Sequence, residues 1–240
     1  MIDIHCHLLP ALDDGSSSKK ETKEMLSLAV EEGIEAIVAT PHWESGMSER
    51  WEKAYQRAYE GVQQLIQEAQ IPIKVYAGSE IFQNEGRLYS AEHGLHTMNQ
   101  TRYILVEFPF HTSFSHIQRS VLNLSYEGYW PILAHIERYD ALKDLQRVEE
   151  LVEMGAYIQV NTSSIAGANG WMQKRYCLRL MRANLLHFVG TDAHGSTKRP
   201  PKAKKALAFM EQKMGKAYTT RITKTNPQNM IKGERISGED

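Results

Sequence analysis

Met1-Ile2-Asp3-Ile4-His5-Cys6-His7 opens the chain, and its reading decides the fold. Ile2, Ile4 and Cys6 alternate with Asp3, His5 and His7, the period of a strand whose alternate side chains share a face. Both imidazoles then point into one space, and imidazole is the commonest side-chain ligand for a transition metal. Taken alone the pattern fits a strand with two satisfied polar residues equally well.

Working outward, Pro10 and Asp13-Asp14-Gly15 mark a loop that makes Asp14 available to a site. Ser17 or Ser18 caps a helix with an apolar stripe through Met25, Leu26 and Ala29, and Gly33 ends it. Further apolar runs read as strands at 34–40, 73–77, 103–106, 131–134, 157–161 and 186–190, suited to burial on both faces. Helices are expected at about 48–70, 115–127, 141–154 and 172–182 and from Lys202 onward, with a short helix and a loop within 84–100.

Seven strands, most followed by a helix, argue for parallel βα units and a closed or nearly closed barrel, one strand short of the usual eight. His5, His7, Asp14, His42, Glu80, Glu107, His135, Asp192 and His194 all fall at a strand's C-terminal end or in the loop after it. In such a barrel those ends converge on one face, which holds the active site.

Four carboxylates and five imidazoles in one pocket require a cation, because carboxylates crowded at that density otherwise take up protons. Nine donors exceed the needs of one tetrahedral zinc, and the mixture of oxygen and nitrogen suits two or three divalent ions such as manganese, iron or zinc. Arg138 and Arg199, if they face the pocket, make it attractive to a dianionic phosphomonoester, whose oxygens match the planar guanidinium fork. Divalent ions make hydroxide available near neutral pH for in-line attack on phosphorus. Asp14 or a ligand histidine can protonate the leaving oxygen, although a phenolate needs little help.

With 240 residues the chain is expected to form one domain, 1–240. A formal net charge of -1 gives no global basic field for nucleic acid or anionic lipid. Two cysteines, Cys6 and Cys177, without a Cys-x-x-Cys pair, fit a reducing cytoplasm. The chain starts directly in its first expected strand, with no signal-like or membrane-spanning run, so a soluble cytoplasmic protein without membrane insertion is expected.

Met1 to His7 with Asp13-Asp14-Gly15, Thr40-Pro41-His42, Gly78-Ser79-Glu80, Val106-Glu107-Phe108, Ala134 to Ala141 and Asp192-Ala193-His194 resemble the polymerase and histidinol phosphatase (PHP) superfamily. More closely they resemble its manganese-dependent protein-tyrosine phosphatases of bacterial capsule and exopolysaccharide systems. The resemblance covers nearly the whole chain, including Asn226-Pro227, and implies an α/β fold that is a distorted TIM-like barrel of seven βα units. It also implies three metal ions on the nine matching positions, with Arg138 and Arg199 binding the phosphate. The implied substrate is an autophosphorylated bacterial tyrosine kinase controlling polysaccharide synthesis, and oligomers are allowed. Residues 161–185 are shorter than the family pattern implies, so any difference in substrate fit falls at the rim. A small-molecule phosphatase, such as one for histidinol phosphate, and a non-catalytic phosphotyrosine-binding regulator are the alternatives.

Blander readings account for the rest. His93, His96, His111, His116 and His187 match no ligand position and read as surface or capped residues. Lys202, Lys204 and Lys205 can steer a phosphoprotein, but a basic first turn is usually a solvated face. Trp43, Phe108, Phe110 and Tyr139 can line a slot for a phenyl ring or simply pack. The His-Cys-x5-Arg signature of cysteine phosphatases fails, since Leu12 and Ala183 stand where Cys6 and Cys177 would need arginine. Cys6 reads as a small core residue.

Overall fold

The computed structural model describes residues 1–44, 47–83 and 96–236. Within them the order is β1 (Ile2–Cys6), α1 (Lys19–Glu31), β2 (Ala36–Ala39), β3 (His42–Trp43), α2 (Glu49–Glu68), β4 (Lys74–Ala77), β5 (Glu80–Phe82), β6 (Tyr103–Glu107), α3 (Phe114–Tyr126) and β7 (Trp130–Leu133). It continues with α4 (Leu145–Glu153), β8 (Tyr157–Asn161), α5 (Thr162–Ala166), α6 (Trp171–Arg182), β9 (Phe188–Gly190), α7 (Lys204–Thr220) and α8 (Asn226–Lys232). Part of the short helix and loop expected within 84–100 falls on residues 84–95, outside the described residues; Met98–Gln100 is a single 3-10 turn.

Every strand pairing is parallel, and the strands form an α/β half-barrel of curled sheet. The hydrogen-bonded orders are β1-β2-β4 and β3-β5-β6-β7-β8-β9. The short β3 and β5 prolong β2 and β4 beyond a break, so His42 and Glu80 lie inside strands and not past their ends as expected. Pro41, which has no N–H to give the ladder, interrupts the first of these, and its carbonyl accepts from Glu80 N–H at 3.0 Å as pairing resumes at His42↔Glu80. Across the other side, the strand pattern of the sequence leaves the barrel closed or nearly closed. Among the described residues the ends of the first and last strands are joined by one isolated bridge, Cys6↔Ala193. Thr191 N–H goes to the Asp3 carboxylate at 2.9 Å, so a side chain takes a bond that a longer ladder would use.

Both faces of the strands are buried, as the apolar runs require. Ile37, Ile104, Val106, Ile158 and Val160 join helix residues such as Met25, Val121 and Leu180 in one core. Their alternates, Ala36, Val38, Leu105 and Tyr157, meet Met98, Met230 and Ile236 in a second. Period two then carries the second face upward from Leu105 to Glu107 and from Tyr157 to Gln159 and Asn161. In β1 the alternation is not strict: register shifts between Asp3 and Cys6, and Ile4 and Cys6 belong to different cores.

Local chemistry sets the helix ends. Ser18 is the cap of α1, its hydroxyl accepting Glu21 N–H, and Gly33 at φ 80° closes the turn. The helix expected at 141–154 begins only at Leu145, because the Asp144 carboxylate caps Gln146 N–H. The loop expected at 167–170 is preceded by α5, and the terminal helix is divided into α7 and α8. Both cysteines are free and buried. No helix among the described residues is long and apolar enough to cross a membrane.

His187, just before β9, accepts Ile158 N–H on Nδ1 at 3.1 Å and must therefore be neutral. Burial, assisted by the Arg221 charge, lowers its pKa to about 4. Because the unfolded chain protonates first, near pH 6.5, the stability this residue contributes at neutral pH is lost as pH falls from about 6.5 to 4. Denaturant melts at about pH 7 and pH 4.5 should show wild type losing roughly 2 kcal/mol more than His187→Asn, which keeps an acceptor but does not titrate.

Candidate metal centre

The strand ends gather all nine expected donors. Glu80 is the hub, its carboxylate oxygens lying 3.1–3.2 Å from His5 Nε2, His7 Nε2, His42 Nδ1 and His135 Nε2. Glu107 reaches His135 at 3.3 Å and His42 at 3.8 Å. Asp192 lies 3.5 Å from His5 and 3.6 Å from His194 Nδ1. Asp14 closes the mouth, 3.4 Å from His42 and 3.5 Å from His194, with its side chain 66% exposed. Both expected arginines also arrive: Arg138 and Arg199 approach Asp192 Oδ2 at 3.5 and 2.5 Å. The space they enclose is about 160 Å³.

A further set of side chains, none of it among the expected site residues, holds these donors in place. The Asp13 carboxylate meets His7 Nδ1 at 2.7 Å and accepts the backbone N–H of His42 at 3.0 Å. Gln159 Oε1 accepts His135 N–H at 2.7 Å and lies 3.4 Å from His5 Nδ1. Asn161 takes Glu137 Oε1 on its own N–H and donates its amide to Asp192 Oδ2 at 2.7 Å. Asp13 was legible as a neighbour of Asp14, whereas Gln159 and Asn161 follow from the period of β8 only once its upper end is known to border the site.

These partners fix tautomers and so test the fit to metal. With Nδ1–H of His7 on Asp13 and Nδ1–H of His5 on Gln159, both Nε2 lone pairs face each other across 3.3 Å and face Glu80. Three acceptors converging this closely need a cation between them, a proton or a metal ion, and the donors fit divalent ions. Three overlapping groups, His7/Asp14/His42/His194, His5/His7/Glu80 and His42/Glu80/Glu107, each keep candidate ligand atoms within 4.8 Å of one another. His7, His42 and Glu80 recur, and of these Glu80, with two carboxylate oxygens, could serve more than one ion. His135 and Asp192 adjoin these groups through Glu80, Glu107 and His5.

Charge distribution agrees. Burial works against protonated His7 and His135, yet Asp13 and Glu80 around the first and Glu107 and Glu80 around the second raise each pKa to about 10. Burial likewise opposes ionisation of Asp192, but His5 and His135 pull it down to about 2. The field at these positions thus favours positive charge, as a metal site requires.

Unusual backbone and close approach also occur at the site. His135, Asp192 and Arg199 all take positive φ, at 34°, 53° and 52°, conformations non-glycine residues adopt only when their surroundings impose them. A Cβ on Gly190 would lie 2.5 Å from His5 Cβ, and one on Gly15 2.4 Å from His7 Cβ, so glycine is what lets β9 and the loop after β1 approach the two histidines so closely.

Of the aromatics, Trp43, Phe108 and Tyr139 are core residues and cannot line a slot. Phe110 is 40% exposed, with the Arg138 guanidinium 4.3 Å from its ring centre. His116 is buried, with no partner for its Nε2 among the described residues, and packs edge-on to Phe108, contrary to its reading as a surface or capped residue. His96 pairs with Glu52 and His111 with Asp140; His93 lies outside the described residues.

Comparison with known proteins gives concordant results. The sequence profile described as capsular polysaccharide synthesis, CpsB/CapC, matches residues 1–232. Tyrosine-protein phosphatase YwqE of Bacillus subtilis is 35% identical over 98% of this chain and 93% of its own. Tyrosine-protein phosphatase CpsB of Streptococcus pneumoniae is 32% identical over 98% of this chain and 100% of its own. A crystal structure from work on these two, described as unique metal-dependent tyrosine phosphatases, superposes with a TM-score of 0.88 at 34% identity, covering 99% of this chain and 96% of that one. Organophosphorus hydrolase of Deinococcus radiodurans, at 11% identity and a TM-score of 0.58 over 96% of this chain and 92% of its own, shares the fold alone.

Asp13→Asn should leave the fold intact but free the His7 tautomer, weakening manganese binding roughly 10- to 100-fold in a metal titration of stripped protein.

Proposed function

This chain belongs to the CpsB/CapC family, and on that premise we propose that it is a metal-dependent protein-tyrosine phosphatase. The observation that carries this reading is the union of nine converging metal-type donors with two arginines held at their mouth by a shared carboxylate, Asp192 Oδ2. We assign His5, His7, Asp14, His42, Glu80, Glu107, His135, Asp192 and His194 to metal, and Arg138 and Arg199 to the phosphoryl group. Two or three divalent ions, manganese first, would when bound polarise the phosphoryl oxygens and lower the pKa of water toward neutrality.

The chain's own residues do the rest. Asp192 fixes both guanidiniums through one oxygen, leaving their remaining N–H groups to hold the non-bridging oxygens of a phosphate dianion. Asn161 locks that carboxylate, and Glu137 locks the Asn161 backbone, so the clamp is set before substrate arrives. Asp14, exposed at the mouth between His42 and His194, is the group best placed to pass a proton to the departing phenolic oxygen. That oxygen has a phenol's pKa near 10, so the demand on Asp14 is small.

Buried donors favour a long substrate. Glu80, His5 and His7 are almost wholly inaccessible, so a phosphate must reach past the rim, and the tyrosyl ring supplies that reach where serine does not. Phe110, beside Arg138, offers that ring an aromatic face. The family's connection with capsular polysaccharide synthesis supports a phosphorylated bacterial tyrosine kinase as substrate in the cytoplasm, with exopolysaccharide control as the consequence. We read the curled sheet as a distorted seven-unit barrel and residues 1–240 as one domain.

Metal-stripped protein re-supplied with manganese should release phosphate from a phosphotyrosine peptide in preference to a phosphoserine peptide or histidinol phosphate, and chelator should abolish release. A preference for histidinol phosphate would instead make it a small-molecule phosphatase. Arg199→Lys, which keeps charge but loses the fork, should lower kcat/KM on the phosphotyrosine peptide roughly 10- to 100-fold with manganese content unchanged.

A further inference from the structure

Beside the metal centre lies a much larger groove of about 880 Å³. It is continuous with that centre, since Arg138, Asp192 and Arg199 line both. From there it runs between the α5–α6 turn, where Ala166 and Asn169 border it, and the first turn of α7, which brings Lys204 and Lys205 with Lys202 just before them. A solvated helix face is the usual fate of such a basic run. Here the three lysines instead line one wall of a concavity that two arginines already bound at its inner end.

Little within the groove compensates this charge. Its two carboxylates, Glu32 and Asp192, are both engaged. Glu32 Oε2 accepts the backbone N–H groups of Ala203 and Lys204 at 3.0 and 2.8 Å, capping α7, and Asp192 is held by Asn161 and the arginines. Among the described residues no carboxylate comes within 4.0 Å of the Lys202, Lys204 or Lys205 ammonium, and all three side chains are exposed. Charge of one sign lining a cleft with low-dielectric walls focuses its field into that cleft.

Resting on the phosphotyrosine reading, we propose that this groove is a second substrate subsite that binds an acidic segment, rich in aspartate or glutamate, of the same polypeptide that carries the phosphotyrosine. Lys202, Lys204 and Lys205 pair with its carboxylates while Arg138 and Arg199 hold the phosphate, and the remaining volume accommodates the backbone between. The metal cavity of about 160 Å³ suffices for a phosphate head; a groove more than five times larger is explicable by a polypeptide and superfluous for a small phosphomonoester. The subsite acts on binding and encounter, not on the chemical step.

The test uses manganese-loaded full chain with three phosphotyrosine peptides of equal length, flanked by acidic residues, by neutral residues, or by neutral residues and a second phosphotyrosine, and with p-nitrophenyl phosphate as the small aryl ester. Expected is a KM roughly tenfold lower for the acidic than for the neutral peptide at low salt, shrinking as salt rises. Lys202→Glu/Lys205→Glu should erase that preference, Lys202→Arg/Lys205→Arg should retain it, and kcat for p-nitrophenyl phosphate should be unchanged in both, which also reports correct folding. Equal KM for acidic and neutral peptides, or a preference surviving the double charge reversal, overturns the subsite while leaving the phosphatase reading intact. A clear preference for the doubly phosphorylated peptide over the acidic one overturns the acidic occupant. Failure of the wild type to hydrolyse any of the four overturns both readings.

Discussion

One buried carboxylate with four imidazoles around it is the constraint on which the rest of this structure depends. Glu80 lies against His5, His7, His42 and His135, each from a different stretch of sequence except the first two. An ionised carboxylate out of water is costly unless positive charge stands beside it. Burial therefore pushes the Glu80 pKa up, and the histidines around it, His5 foremost, hold it well down. Whatever supplies that positive charge, metal ions or protons, holds β1, β3, β5 and the end of β7 together at their tops.

The parallel sheet makes such a cluster feasible. Each βα unit delivers one or two polar side chains at the upper end of a strand whose lower part is apolar, so a dry core and a charged site occupy the same fold at different heights. The transition is abrupt in β6, where Leu105 lies in the core and Glu107, two residues on, reaches His135. Where regular pairing would misplace a donor, it is broken. Pro41 and Gly78-Ser79 separate β2 and β4 from their continuations, and the ends of β1 and β9 are tied by Asp3, Thr191 and one bridge instead of a ladder. The left-handed backbone at His135, Asp192 and Arg199 belongs to the same economy: local conformation yields to the placement of a side chain.

Asp192 joins floor to mouth. One of its oxygens faces His5 and the other takes both arginines and the Asn161 amide. A single carboxylate thereby belongs to the metal-type donors and to the arginine pair together. Phe110 under Arg138 and the basic groove beyond Arg199 extend this mouth outward in two directions, one aromatic and one cationic.

The sequence by itself determined the candidate donors and their general address. Polar residues at the ends of apolar runs identify a parallel α/β sheet and its donor set, because strand periodicity and chain direction are local properties: His5, His7, Glu107, Asp192 and His194 could each be picked out this way. Local signals also placed Ser18 as a cap and Gly33 as a stop. Only the tertiary structure decided which groups meet across strands. That Asp13 orients His7, that Gln159 serves two histidines, that His116 and three of the four aromatics near the ligands are core, and that the basic turn of α7 faces a groove, are all matters of distance between segments far apart in the chain. So is the degree of closure: strand counting implies a closed or nearly closed barrel, and the curled half-barrel sheet brings its first and last strands together at the Cys6–Ala193 bridge and the Asp3–Thr191 contact. Periodicity is written into neighbouring residues, whereas contact order and burial depend on how the whole chain packs, and no local pattern encodes them.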